Sequence, residues 1–156
     1  MNIYFDTCAL NRLTDDQTQP RIRTEAQAVE RILDLVTVGE VRWISSPFLR
    51  AEMQRNPNAA RREVSLALLA FASEFVEPTE STYQRAASLA NDGYGPFDAL
   101  HLALAVQSHA DFLLTVDDRF IARTARSPIG VPPSVANPVD WINRRAQWPL
   151  PPQSTR

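Results

Sequence analysis

The chain has 156 residues, 44% of them hydrophobic, a length that supports one compact core and falls short of two ordinary domains. Its 16 basic and 18 acidic residues leave a net charge of -2, which excludes a protein that grips nucleic acid through a global basic field and makes any such contact local. The lone Cys8 excludes an internal disulfide and a cysteine-built zinc cage, and no apolar run matches a signal peptide or a membrane span.

Asn2-Ile3-Tyr4-Phe5 favours a strand, which Asp6-Thr7 ends with residues that prefer turns and caps. From about Arg21 to Val38 the apolar residues Ala26, Val29, Ile32, Leu33 and Val36 recur at helical steps, predicting an amphipathic helix that closes near Gly39. Val41 to Ser45 predicts a short strand. Ser46-Pro47 then supplies an N-cap with proline at the first helical position, and Glu52 lies just over one turn along that helix. Asn56-Pro57-Asn58 breaks it, and helical character resumes over Ala59 to Phe75 with Val64, Leu68 and Phe71 on one side.

Pro78-Thr79 with Glu80 starts a further helix to about Asn91, ended by Asp92-Gly93. Gly95-Pro96 opens a segment apolar almost all round, from Ala99 to Val106, as expected of a central buried helix, with Asp98 in its first turn. Phe112 to Val116 predicts a strand that runs directly into Asp117-Asp118, and Phe120 to Ala125 a short helix. In the proline-rich stretch from Ser127 on, only Val135 to Asn143 is able to add a last strand and turn. The expected organisation is one domain over residues 1–148 and a disordered tail at 149–156. Alternating strands and helices predict an α/β protein with a helix-covered parallel sheet, and the composition that of a cytoplasmic protein without a membrane partner.

In such sheets the ligand crevice lies beyond the carboxyl ends of the strands, and Asp6 and Asp117 both stand there. Asp98, on the most apolar helix, is costly to bury without a neutralising partner, for which a divalent cation is the simplest choice. By itself its position is equally that of a carboxylate favoured by a helix N-terminus. Hard Mg²⁺ or Mn²⁺ takes oxygen ligands, keeps some of its water and activates it for phosphodiester hydrolysis, which is why several acids are needed together. Cys8 reads as a small buried hydrophobe.

Four segments, in this order, resemble the PIN-domain family and above all its VapC-like toxins: Ile3-Tyr4-Phe5-Asp6-Thr7, Glu52 on an early helix, Asp98-Ala99-Leu100-His101-Leu102-Ala103, and Leu114-Thr115-Val116-Asp117-Asp118-Arg119-Phe120. Val135-Ala136-Asn137-Pro138 is similar to the family's final strand and turn. The resemblance implies a three-layer α/β/α fold with a central parallel sheet, Mg²⁺- or Mn²⁺-dependent endoribonuclease activity on RNA, a cognate antitoxin and a homodimer. It implies Asp6, Glu52, Asp98 and Asp117 as catalytic metal ligands, with Thr7 and Thr115 supporting them. For the second acid, Glu63 and Glu25 are alternatives to Glu52.

Arg12, Arg119 and Arg123 follow Asp6 and Asp117 and are candidate phosphate contacts, with ordinary solvated charge as the alternative. All basic side chains are arginine, a choice that suits forked phosphate recognition and follows equally from codon bias. Two features depart from the family pattern: the polar Asn11-Arg12 and Asp15-Asp16 after the first strand, and His101, read as a hydrogen-bonded structural histidine. A phosphatase with an aspartyl nucleophile fits less well, since its usual second Asp is replaced by Cys8, and four glycines leave no phosphate-binding loop. The remaining competitor is a catalytically inactive PIN-like module that binds RNA or protein.

Overall fold

The structure is a computed structural model and describes residues 1–145. Along the chain run β1 (Asn2–Phe5), α1 (Thr7–Asn11), α2 (Pro20–Thr37), β2 (Arg42–Ser45), α3 (Pro47–Gln54) and α4 (Ala59–Leu68). A 3-10 turn at Leu69–Phe71 leads to β3 (Glu74–Phe75), α5 (Glu80–Asn91) and α6 (Pro96–Gln107). Then follow β4 (Phe112–Leu114), α7 (Asp118–Arg126), β5 (Ser134–Ala136) and α8 (Pro138–Arg144).

The strands pair in the order β3-β2-β1-β4-β5, every pairing parallel. Ile3 stands opposite Trp43 on one side and Phe112 on the other. Because side chains alternate along a strand, Ile3, Phe5, Trp43 and Leu114 enter one core with Ala9 and Leu10 of α1, Val29 and Ile32 of α2 and Trp141 of α8. Tyr4 and Leu113 enter the other, with Leu89 of α5, Leu102 and Leu104 of α6 and Phe120 of α7. The result is three layers, α/β/α. Leu102 and Leu104 are fully buried, and each contributes roughly 2 kcal/mol of hydrophobic stabilisation.

Several elements differ from the periodicity. The helix expected over 59–75 ends early, because Glu74–Phe75 pairs with β2 as an edge strand, with Ser73 N–H donating to Trp43 O and Val76 N–H to Ser45 O. Ladder bonds override local helical preference there. Of the side expected to carry Val64, Leu68 and Phe71, Val64 and Phe71 are each 49% exposed, while Ser65 and Leu69 are buried. The residues after β1 form the short α1, with Asp6 as its cap, and the last strand is followed by a helix rather than a turn. Asn137 caps that helix by accepting the Val139 N–H, Pro138 opens it, and burial of Trp141 anchors it. The expected tail at 149–156 lies outside the described residues, as do the last positions of the expected domain.

The topology positions the site. From β1 the chain builds outward through β2 to β3, then returns to place β4 on the opposite side of β1. That switch point opens a crevice at the carboxyl ends of β1 and β4.

Candidate functional site

After each strand beside the switch point stands an aspartate that starts a helix, Asp6 directly after β1 and Asp117 three residues beyond β4. Asp6 caps α1, its Oδ1 accepting the Ala9 N–H at 3.0 Å. Asp117 caps α7, its Oδ1 accepting the N–H groups of Arg119 at 2.9 Å and Phe120 at 3.2 Å. Backbone donors therefore orient both carboxylates while leaving oxygen capacity on each. Thr115, fully buried, links them: its Oγ1 accepts the Asp117 N–H at 3.1 Å, and its hydrogen bond to the Asp6 carboxyl favours the ionised form. Thr7 contributes differently, with a buried hydroxyl that has no hydrogen-bond partner among the described residues.

Asp98 approaches from α6, whose N-cap is Gly95. It accepts no hydrogen bond among the described residues, so it does not serve the helix end as a cap. Burial pushes its carboxyl up to about 6, and the negative charges of Asp117, Asp6 and Glu52 act in the same direction. Asp6, only 4% exposed, is likewise raised, chiefly by burial. Glu52 comes from α3, where its Oε1 lies 2.5 Å from Nε2 of His101. Of the alternatives for this position, Glu63 is exposed on α4, and Glu25 is buried on α2 between Arg12 and Arg21.

The four acids thus come from β1, α3, α6 and β4 to one end of the sheet. Some acids elsewhere are ion-paired with arginines: Glu25 takes Arg12 and Arg21, Asp118 takes Arg21, Asp15 takes Arg12 and Arg61, and Glu74 takes Arg42. Among the described residues, Asp6, Asp98 and Asp117 have no ion-pair partner, and Glu52 meets only the His101 imidazole. Buried and half-buried carboxylates left without arginine partners suit a hard divalent cation in donor type and charge. Their mutual repulsion opposes convergence, and among the described residues no three His, Cys, Asp or Glu side chains stand grouped at ligating separations.

A cavity of about 460 Å³ adjoins this rim, lined by Asp98, Asp117, Arg119, Arg123 and Arg126 together with Tyr94. The Arg123 guanidinium lies over the Tyr94 ring, 5.6 Å from its centroid, and fills the notch at Gly93, where a Cβ would meet its Nη1 at 2.8 Å. The structure does not bring Arg12 here. Its Nε donates to Glu25 at 2.7 Å and its Nη1 to Asp15 at 2.8 Å, which makes it part of an ion-pair cluster behind α1 rather than a free cation at the rim.

Two participants were not legible as such. Arg126 reaches the cavity one helical turn after Arg123, a spacing that helix periodicity alone would have pointed out. Cys8, expected as a mere hydrophobe, has its Sγ 3.2 Å from both oxygens of Asp6 and 3.3 Å from Thr115 Oγ1.

An α/β/α protein with an acidic crevice at the switch point of a parallel sheet is what fold and site together define. The chain belongs to the PIN-domain family, whose sequence model matches residues 3–126. Solved structures of like fold include VapBC-1 from nontypeable Haemophilus influenzae, with TM-score 0.61, 17% identity and coverage of 88% of this chain and 98% of that one. Mycobacterium tuberculosis VapC20, described as a Sarcin-Ricin loop cleaving toxin, has TM-score 0.56 and 14% identity, covering 78% of this chain and 94% of the other. FitAcB from Neisseria gonorrhoeae has TM-score 0.52 and 20% identity, covering 87% and 97%. A search of curated proteins finds no match. At these identities the likeness is one of fold. No helix among the described residues is long and apolar enough to cross a membrane.

Proposed function

We propose that this chain is a divalent-metal-dependent endoribonuclease, the toxin of a toxin–antitoxin pair, in which Asp6, Glu52, Asp98 and Asp117 hold Mg²⁺ or Mn²⁺. The observation that carries this reading is the approach of four acids from separate elements at the switch point, none of them ion-paired to an arginine among the described residues, whereas the buried Glu25 is paired with two. The antitoxin and the RNA substrate are supported by the company the fold keeps: VapBC-1, FitAcB and the loop-cleaving VapC20.

A bound cation supplies charge neutralisation at the phosphate and an activated water. The chain's own residues do the positioning. Asp6 and Asp117 are held by backbone N–H groups at two helix starts, Thr115 fixes the spacing between them, and Asp98 faces them from α6. Arg119, Arg123 and Arg126 offer forked donors beside Asp98 and Asp117, where they hold the phosphates that flank the scissile bond. Thr7 supports the cluster from the first turn of α1.

The test is incubation of purified protein with structured and unstructured RNAs, with Mn²⁺ and with chelator, alongside Asp98→Asn. Metal-dependent cleavage that disappears in the variant is the expected result. RNA binding without cleavage under any metal condition would instead identify an inactive PIN-like binding module.

A further inference from the structure

His101 stands one turn after Asp98 on α6 and is 2% exposed, yet both of its ring nitrogens are engaged. Nδ1 lies 2.9 Å from the Tyr4 hydroxyl and Nε2 lies 2.5 Å from Glu52 Oε1. The Tyr4 hydroxyl in turn lies 2.8 Å from Ser46 Oγ, which accepts the Leu49 N–H at 3.2 Å as the N-cap of α3. The imidazole is clamped between two rings, 4.8 Å from Phe48 and 5.6 Å from Tyr4, centroid to centroid.

One assignment of hydrogens uses every atom in this series. The Leu49 N–H donates to Ser46, the Ser46 hydroxyl to Tyr4, the Tyr4 hydroxyl to His101 Nδ1, and the His101 Nε2–H to Glu52. The phenol hydroxyl is both a donor and an acceptor, as this assignment requires. The series begins at the N-cap of α3 and ends on a carboxylate of the same helix, passing through β1 and α6 on the way. It thereby sets where Glu52 points relative to Asp6, two residues beyond Tyr4, and to Asp98, three residues before His101.

We infer that His101 is a positioning residue: through the relay Ser46–Tyr4–His101 it delivers one hydrogen bond that orients Glu52 toward the other three acids for metal binding. This rests on the proposed metal site. The imidazole is not itself a ligand, because both of its nitrogens are committed. Glu52 lies on the second turn of α3, where no unsatisfied backbone N–H orients its side chain as at Asp6 and Asp117.

The experiment is calorimetric titration of Mn²⁺ into wild type, His101→Asn, His101→Gln, Tyr4→Phe and Glu52→Gln, with a thermal melt of each in chelator. Asn places its amide near Nδ1 and loses the donor to Glu52, whereas Gln reaches the position of Nε2 and keeps it. The expected result is a loss of about 10- to 100-fold in Mn²⁺ affinity for His101→Asn, the range seen when an outer-shell partner is removed, and largely wild-type affinity for His101→Gln. His101→Asn should add no further loss in a Glu52→Gln background. Tyr4→Phe, which deletes one oxygen at constant ring volume, should weaken binding less than His101→Asn.

Equal losses in the Asn and Gln variants, or additive losses with Glu52→Gln, mean a merely structural histidine and overturn the relay. So does wild-type affinity in a folded His101→Asn protein, with the metal site left standing. Wild type that takes up no Mn²⁺ overturns the metal-site reading and the relay with it.

Discussion

The Cys8 sulfur sits 3.2 Å from each oxygen of Asp6, two residues back along the chain. A thiol in that place acts as a weak donor to a buried carboxylate, and the carboxylate in return opposes thiolate formation. Burial first, and then the Asp6 charge, raise the Cys8 thiol well above its ordinary value. Native protein at pH 8 should therefore react with iodoacetamide at least about tenfold more slowly than the urea-unfolded chain, and Asp6→Asn should react faster than wild type. Rapid alkylation of native wild type, followed by mass spectrometry, would contradict the contact.

Asp6→Asn and Asp98→Asn should each lower RNA cleavage by about a hundredfold or more, as expected when an electrostatic stabiliser of the reaction is removed. The fold should survive in both. Asparagine is as good an N-cap as aspartate, so the Ala9 N–H keeps its acceptor in Asp6→Asn, and Asp98 caps nothing. Circular dichroism with a cleavage assay checks this, and retained activity in either folded variant would remove that residue from the site.

Stability without metal should fall as the crowded acids ionise. Asp98 ordinarily titrates near 3.8 and is raised to about 6 by burial and by Asp117, Asp6 and Glu52. A carboxyl raised in the folded state contributes stability that is complete below the unfolded value and is lost as pH climbs from about 4 through about 6. Asp98→Asn removes this loss, so in chelator at pH 7 it should be more stable than wild type by on the order of 1 kcal/mol, after discounting for partial exposure. Divalent metal should raise the wild-type Tm with concentration, and more at pH 7 than at pH 5, because it binds the ionised acids of the native state. Thermal melts of both proteins at the two pH values test this, and an Asp98→Asn protein that is simply weaker would refute the crowding.

The arginines divide into two kinds. Replacing Arg119, Arg123 and Arg126 together by Ala should weaken RNA binding and reduce its salt slope by about 2, the value for three phosphate contacts on a single strand. Arg12→Ala should leave that slope unchanged and instead cost about 2 kcal/mol of stability. The Glu25 side chain, 3% exposed, would then keep only Arg21 as an ionic partner. Fluorescence anisotropy across a salt series, with urea melts, separates the two effects. A lowered slope for Arg12→Ala would place RNA on the α1 side.

Much of this protein is determined by local pattern alone. The alternation in Ile3-Tyr4-Phe5, the helical steps from Ala26 to Val36 and the unbroken apolarity of α6 follow from residue order, since a strand repeats every two residues and a helix every 3.6 wherever they are placed. Asp6 and Asp117 are legible for the same reason: each ends an apolar run, and strand ends in a parallel sheet share one rim. What a residue meets across the fold is not written in its neighbours. Glu74–Phe75 became a strand because β2 had an open edge, Arg12 was claimed by Glu25 on another helix, and Cys8 became a partner of Asp6 once the chain turned into α1. His101 shows the difference most plainly: its helical position follows from the sequence, while its bonds to Tyr4 and Glu52, 97 and 49 residues away, exist only because the sheet brings β1, α3 and α6 together.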